Sequence, residues 1–360
     1  MTEASPLQIG VLLPNWIGDV VMATPALRAL RDHFGTTARI TGIMRPYVAR
    51  VLDGTDFLDQ QIFYDRRSPD PARKLKAVSR QLKQQGLEMM LLMPNSFSAA
   101  MLAWRSGARQ RIGFARRPRG WLLSRRLRLP MHRGKPVPRS AIDHYLDVIR
   151  AAGVTADSRQ MELATLPEDE AGADQAWHAL GLGQAGRVVV FNTGSANGSA
   201  RNWPLEYFTE LAQRLVATDS ELAVLVICGP AETESAAAIE AAADHPRIRS
   251  MVGQDLSLGV AKACVRRAQL MITTDSGPRH FAPAFNVPAI SLAGPIDPRW
   301  SESHHRHSIS LQHPVDCGPC GLTVCPLDYH ACMRDLSVDR VEQAARDKLN
   351  RSTATGNEAA

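Results

Sequence analysis

Two loops, far apart in the chain, constrain the fold more than any other feature of this sequence. The first is Pro14-Asn15-Trp16-Ile17-Gly18-Asp19, running into Val20-Val21-Met22-Ala23-Thr24-Pro25-Ala26-Leu27. The second is Thr273-Thr274-Asp275-Ser276-Gly277-Pro278-Arg279-His280. Each follows an apolar strand-like run and opens a helix-like run. A glycine loop at a helix start gathers free backbone N–H groups at the positive end of the helix dipole, which favours an anion. One such loop in each half points to two domains gripping a phosphate-bearing ligand across a cleft.

The rest of the pattern supports an α/β chain. In the first half, strands are expected at 7–13, 38–44, 61–64 and 87–93, and helices at 20–34, 72–85, 96–105 and 144–152. A link is expected at 153–171, marked by Pro167 and the acidic run Glu168-Asp169-Glu170. The second half repeats the alternation. Strands are expected at 187–191, 222–228, 248–251, 270–273 and 289–292, and helices at 205–217, 232–243, 257–266 and 279–285. Strands alternating with helices argue for parallel sheets covered on both faces. The boundaries that follow are 1–165 and 166–335 for two Rossmann-like domains, then a helix at 338–349 and a tail within 336–360.

Charge is unevenly placed. Between Met89 and Ile142 there is no Asp or Glu, yet twelve Lys or Arg, so the rest of the chain is net acidic although the total is +6. A local basic surface attracts polyanions such as nucleic acid, anionic lipid or a phosphorylated glycan. Trp104, Phe114, Trp121 and Leu122 are interleaved with it and could touch the apolar edge of a membrane. A solvated arginine-rich loop is the plainer alternative. No apolar run reaches the roughly 18–20 residues of a membrane span. No signal-like segment opens the chain, so a cytoplasmic location is the expectation.

Four loops carry candidate chemistry. Gly18 allows close backbone approach, and Asp19 is either a general base toward an attacking hydroxyl or the helix N-cap. Backbone N–H groups of Ser276 and Gly277 could cradle a diphosphate, with Asp275 at the strand end and His280 donating to a phosphate oxygen. The stretch Thr193-Gly194-Ser195 to Arg201-Asn202-Trp203-Pro204 follows a strand, and Arg201 offers the charge a leaving diphosphate needs. Glu232 could bond a ribose diol or favour its helix start. All these loops lie at carboxyl ends of strands, where open α/β sheets bind ligands.

These residues resemble those of a known family. Trp16-Ile17-Gly18-Asp19 with Thr24-Pro25-Ala26-Leu27 is similar to the N-terminal signature of the ADP-heptose–lipopolysaccharide heptosyltransferases. Thr193-Gly194-Ser195, Arg201-Asn202-Trp203-Pro204 and Thr274-Asp275-Ser276-Gly277-Pro278-Arg279-His280 resemble its C-terminal motifs. Gly294-Pro295, Cys317-Gly318-Pro319-Cys320, Cys325-Pro326 and Cys332-Met333-Arg334 resemble the heptosyltransferase II branch. The likeness spans about residues 7–344. It implies a GT-B fold, two Rossmann-like domains facing across a cleft, with the C-terminal helix returning to the first domain. It implies inverting transfer of L-glycero-D-manno-heptose from ADP-heptose to the lipopolysaccharide inner core, with no cofactor required for the chemistry. Asp19 matches the family's base, and Arg201 stands where lysine is usual near the diphosphate. Gly18, Thr193, Gly194, Ser195, Glu232, Asp275, Ser276, Gly277 and His280 would bind the donor. Arg116, Arg117 and Arg119 would meet a phosphorylated acceptor, with peripheral contact to the anionic inner face of the inner membrane.

Cys317, Cys320, Cys325 and Cys332 are spaced C-x2-C-x4-C-x6-C, a set that could hold structural zinc or stay as packed free thiols. A dehydrogenase is disfavoured, because no G-x-G-x-x-G follows the first strand. A nucleic-acid module lacks a reading motif. The remaining alternatives are a GT-B enzyme for another nucleotide sugar or acceptor, and a nucleotide-sugar-binding protein without turnover.

Overall fold

The computed structural model of the chain describes residues 6–116, 118–194 and 198–356. Arg117 and Ser195, both named as candidates above, lie outside the described residues. The chain divides into two units: residues up to 164 with 299–303, and residues 165–298 with 304 onward.

The first unit runs β1 (Leu7–Leu12), α1 (Ile17–Phe34), β2 (Ala38–Met44), α2 (Pro46–Ala49), β3 (Gln60–Phe63), α3 (Leu75–Gln85), β4 (Met89–Leu92) and α4 (Phe97–Arg105). It continues with β5 (Gln110–Phe114), β6 (Arg125–Leu127), a hairpin of β7 (Met131–His132) and β8 (Lys135–Pro136), and α5 (Ala141–Arg150). Its sheet is parallel throughout, in the order β3-β2-β1-β4-β5-β6. The order reverses between β1 and β4, which opens the crevice where such sheets bind ligands. β4 is buried at every position, as a central parallel strand with helices on both faces must be.

The second unit repeats this plan. It runs α6 (Pro167–Ala179), β9 (Arg187–Asn192), α7 (Leu205–Thr218), β10 (Leu222–Ile227), α8 (Thr233–Ala243), β11 (Ile248–Ser250), α9 (Leu258–Arg266) and β12 (Leu270–Thr274). Then come α10 (Phe281–Ala284), β13 (Ala289–Ala293), β14 (Ser308–Gln312), α11 (Ala331–Arg334) and α12 (Val338–Gly356). The sheet order is β11-β10-β9-β12-β13-β14, again parallel, with its reversal between β9 and β12.

Among the elements that differ from the sequence reading, two have a plain local cause. Pro167 and the acidic run open α6 rather than a link, because Pro suits the first helical position and acids suit the first turn. The expected helix at 279–285 is a 3-10 turn, Gly277–His280, followed by the single turn α10. Pro278 and Pro283 leave too few backbone donors for one regular helix. The last helix packs on α7 within its own unit: Arg214 pairs with Asp339 at 2.6 Å and Glu342 at 3.0 Å.

Pro25 sits inside α1 and cannot bond the carbonyl of Val21. The neighbouring Thr24 hydroxyl donates to that carbonyl at 2.7 Å, and accepts the Glu162 N–H at 3.0 Å. The Thr24-Pro25 pair therefore keeps the helix satisfied and fastens the segment that leaves the first unit. Arg28 adds bonds to Glu162, Ser158 and the Gln160 carbonyl.

Candidate active site

In the first unit, β1 delivers the chain to Trp16, which is the extended N-cap of α1. No side chain caps this helix, and Asp19 lies one turn in, so the N-cap reading of Asp19 falls. Gly18 is buried beside it. Burial pushes the Asp19 carboxyl up to about 6. Tyr145 on α5 is close enough that its phenol, raised first by burial, is raised further by the Asp19 charge. A carboxyl poised near neutrality in a phosphate-type loop is suited to taking a proton.

The basic stretch is less uniform than its charge count implies. Arg119, expected at the acceptor surface, is 1% exposed. Its Nη1 donates to the carbonyls of Pro94 at 2.7 Å and Ser96 at 2.9 Å, bracing the loop after β4. Gly113 leaves it room, since a Cβ there would come within 2.9 Å of Nη2. Burial first, and Arg116 second, bring Arg119 down to about 10. Arg111 likewise donates to the carbonyls of Leu122 and Ala108, while Arg109 and Arg139 pair with acids. Arg116 remains exposed.

In the second unit, Asn192 ends β9 and ties two loops together. Its Nδ2 donates to Thr273 Oγ1 at 2.8 Å and Ser276 Oγ at 2.6 Å. Thr274 Oγ1 donates to the Gly194 carbonyl at 2.6 Å. Glycine at 194 lets the Glu232 carboxylate lie against the backbone, since a Cβ there would sit 1.7 Å from Glu232 Oε1 and push that carboxylate aside. Glu232 in turn accepts the Gly229 N–H at 2.9 Å. Thr193, Gly194, Ser199, Glu232, His330 and Arg334 line a cavity of about 500 Å³.

Asp275 is the hub of this site. It pairs with Arg201 at 3.1 Å and with Arg279 at 3.4 Å. Arg279 Nε donates to His280 Nε2 at 3.2 Å, which assigns the ring proton to Nδ1. Burial, then the Arg279 charge, hold His280 well below the usual histidine range, so the ring is neutral. Two buried nitrogens then lack partners: Arg201 Nε and His280 Nδ1. Unpartnered buried donors cost about 1–3 kcal/mol each, a deficit that a bound anion removes. The amide of Ser276, expected to cradle the same anion, is already bonded to the Thr274 carbonyl at 2.8 Å. That leaves the Gly277 amide at the head of the 3-10 turn. Arg279 and Arg334 stood inside the motifs quoted above without a role of their own, and Asn192, Tyr145 and His330 drew none either, since no spacing rule links these residues to their partners.

Among the described residues no group of three or more His, Cys, Asp or Glu is placed to hold a metal ion. All six cysteines are free thiols, with Cys317 and Cys320 exposed and Cys332 buried. Burial, then the charges of Cys325, Cys317 and Cys320, push the Cys332 thiol up to about 11. The cysteine segment instead braces the loop after β9: the Ala200 N–H bonds the Thr323 carbonyl at 3.1 Å, and His330 Nε2 donates to the Ala200 carbonyl at 2.9 Å.

The chain is similar along most of its length to known heptosyltransferases. The chain is 23% identical over 349 residues to the lipooligosaccharide heptosyltransferase 2 of Campylobacter jejuni, covering 96% of this chain and 99% of the relative. It is 23% identical over 352 residues to the lipopolysaccharide heptosyltransferase 2 of Escherichia coli, covering 93% and 96%. The solved structure of E. coli ADP-heptose lps heptosyltransferase II superposes with a TM-score of 0.76 at 19% identity, covering 96% of this chain and 100% of that one. The likeness of fold is to the GT-B enzymes. The profile of glycosyltransferase family 9 (heptosyltransferase) matches residues 75–330, and the chain is therefore a glycosyltransferase that belongs to this family.

Proposed function

We propose that this enzyme transfers L-glycero-D-manno-heptose from ADP-heptose to the inner core of lipopolysaccharide, with inversion at the anomeric carbon. The observation that carries the donor half is the pair of unpartnered buried donors, Arg201 Nε and His280 Nδ1, set around Asp275. They would bind the diphosphate together with the Gly277 amide, while Glu232 takes the ribose diol beside Thr193 and Gly194. The acceptor hydroxyl oxygen attacks the anomeric carbon from the face opposite the diphosphate. Its proton passes to Asp19, the bond from that carbon to the phosphate oxygen breaks, and ADP leaves with the bonding electrons. Arg201 and His280 stabilise the charge that grows on ADP.

The acceptor would be held by the first unit, on the exposed part of the basic stretch that includes Arg116. Among the described residues no helix is long and apolar enough to cross a membrane. Contact with the anionic inner face of the inner membrane would then be peripheral. The test is a mass-spectrometric screen of ADP-, UDP- and GDP-sugars with a deacylated inner-core acceptor. ADP-heptose should be the donor consumed. Faster transfer from a UDP- or GDP-sugar would overturn the donor assignment, and ADP-heptose binding without turnover would overturn the catalytic one.

A further inference from the structure

The loop after β5 and the edge strand β6 line a second, open cavity of about 350 Å³, wholly within the first unit. Its walls include Arg116, Pro118, Trp121, Arg126 and Arg128, with no acid among the lining residues. Arg126 and Arg128 alternate along β6 and its continuation, so they face the same side. Arg116 comes from the loop after β5 and lines the same cavity. Among the described residues none of these three arginines has an ion-pair partner. Trp121 stands beside them with 63% of its surface exposed.

Charges along an edge strand commonly prevent pairing with another sheet. That explains a charged β6, but not three cations turned on one cavity, nor an indole exposed at its rim. We propose that this cavity binds a phosphorylated sugar unit, with the phosphomonoester among Arg116, Arg126 and Arg128 and the apolar face of the sugar on Trp121. A phosphomonoester brings nearly two negative charges and three acceptor oxygens. A carboxylate would be satisfied by one guanidinium fork and would leave the other two cations unmatched. That the sugar belongs to the acceptor glycan rests on the proposed function; the binding itself does not.

The test titrates the full chain with mannose 6-phosphate, inorganic phosphate, glucuronate and methyl mannoside, followed by calorimetry and intrinsic tryptophan fluorescence. Mannose 6-phosphate should bind at least tenfold tighter than inorganic phosphate or glucuronate, and methyl mannoside should not bind. Arg126→Ala with Arg128→Ala should weaken mannose 6-phosphate at least tenfold. Trp121→Leu should remove the fluorescence change and weaken binding. Both variants lie on the surface and should keep the wild-type melting temperature and ADP affinity. Equal binding of inorganic phosphate or of glucuronate, or unchanged binding in the arginine variant, overturns the assignment. Absence of mannose 6-phosphate binding in a chain that turns over ADP-heptose sinks the cavity alone. Binding in a chain that does not turn over ADP-heptose upholds the cavity and sinks the transfer reading.

Discussion

The Asp19 carboxyl is held where two influences oppose each other. A helix N-terminus favours its charged form, yet burial dominates and raises it to about 6. The sign for stability follows from linkage. Below its unfolded value near 3.8 the group is neutral in both states, and as pH rises to about 6 only the folded state keeps the proton, so stability falls across that window. Asp19→Asn should therefore be more stable than the wild type above pH ~6, by about 3 kcal/mol, with the difference vanishing below pH ~4. The same variant should lose about 10²-fold or more in kcat while keeping its ADP affinity. The wild-type kcat should rise through pH ~6 and then level. Melting curves across pH, with coupled ADP release, check all three, and wild-type turnover by Asp19→Asn would end the general-base assignment.

A second pair of residue-scale predictions separates binding from architecture. His280→Ala removes one unpartnered donor and should weaken ADP about 10- to 100-fold by calorimetry, the range of a hydrogen bond to a charged group. Asp275→Ala leaves Arg201 and Arg279 buried without their shared carboxylate. That loss should cost about 3–5 kcal/mol of stability before any effect on ADP can be read. Asp275 is thus a poor probe of the donor site and His280 a good one, although both stand in one motif.

At the scale of elements, what the sequence displayed was decided by local chemistry. The long apolar strands β1, β2, β4, β9, β10 and β12 announce themselves because a buried parallel strand is apolar on both faces. β5 and β6 were missed because arginines occupy their solvent side and the open edge. β14 was missed because its residues are only half-buried at the other sheet's edge. Glycine loops and strand ends were legible, and with them the placement of Asp19 at a helix start and of Gly194, Arg201, Asp275 and His280 in loops after strands of the second unit. Whether a given charge is buried was not: Arg116 and Arg119 are three residues apart in one basic run, yet only Arg119 is enclosed, through the space that Gly113 leaves. α1 offers a test of one legible motif. Thr24→Val should cost about 2–3 kcal/mol by urea denaturation, since the hydroxyl serves both the Val21 carbonyl and the Glu162 amide in a buried setting. ADP affinity should be untouched, and a loss under 0.5 kcal/mol would mean that other groups satisfy Val21.

At the scale of the whole molecule, the acid-free segment gives the chain a local positive field that its net charge of +6 understates. The structure removes some of its cations from that account, by burying Arg119 and pairing Arg109 and Arg139. The hairpin β7–β8 keeps its own: Arg133 and Lys135 are exposed, flanked by the exposed apolar side chains of Met131 and Val137. An exposed basic and apolar tip is the composition that an anionic bilayer surface attracts, at about 1 kcal/mol per cation near the surface. The chain should therefore sediment with vesicles containing phosphatidylglycerol at low salt, leave them at high salt as screening shortens the Debye length, and ignore neutral vesicles. Arg133→Glu with Lys135→Glu should lower that binding at least tenfold and leave ADP affinity unchanged. If the double variant sediments like the wild type, the hairpin is not the contact. If neutral vesicles bind as well as anionic ones, the positive field is not what draws this chain to a membrane.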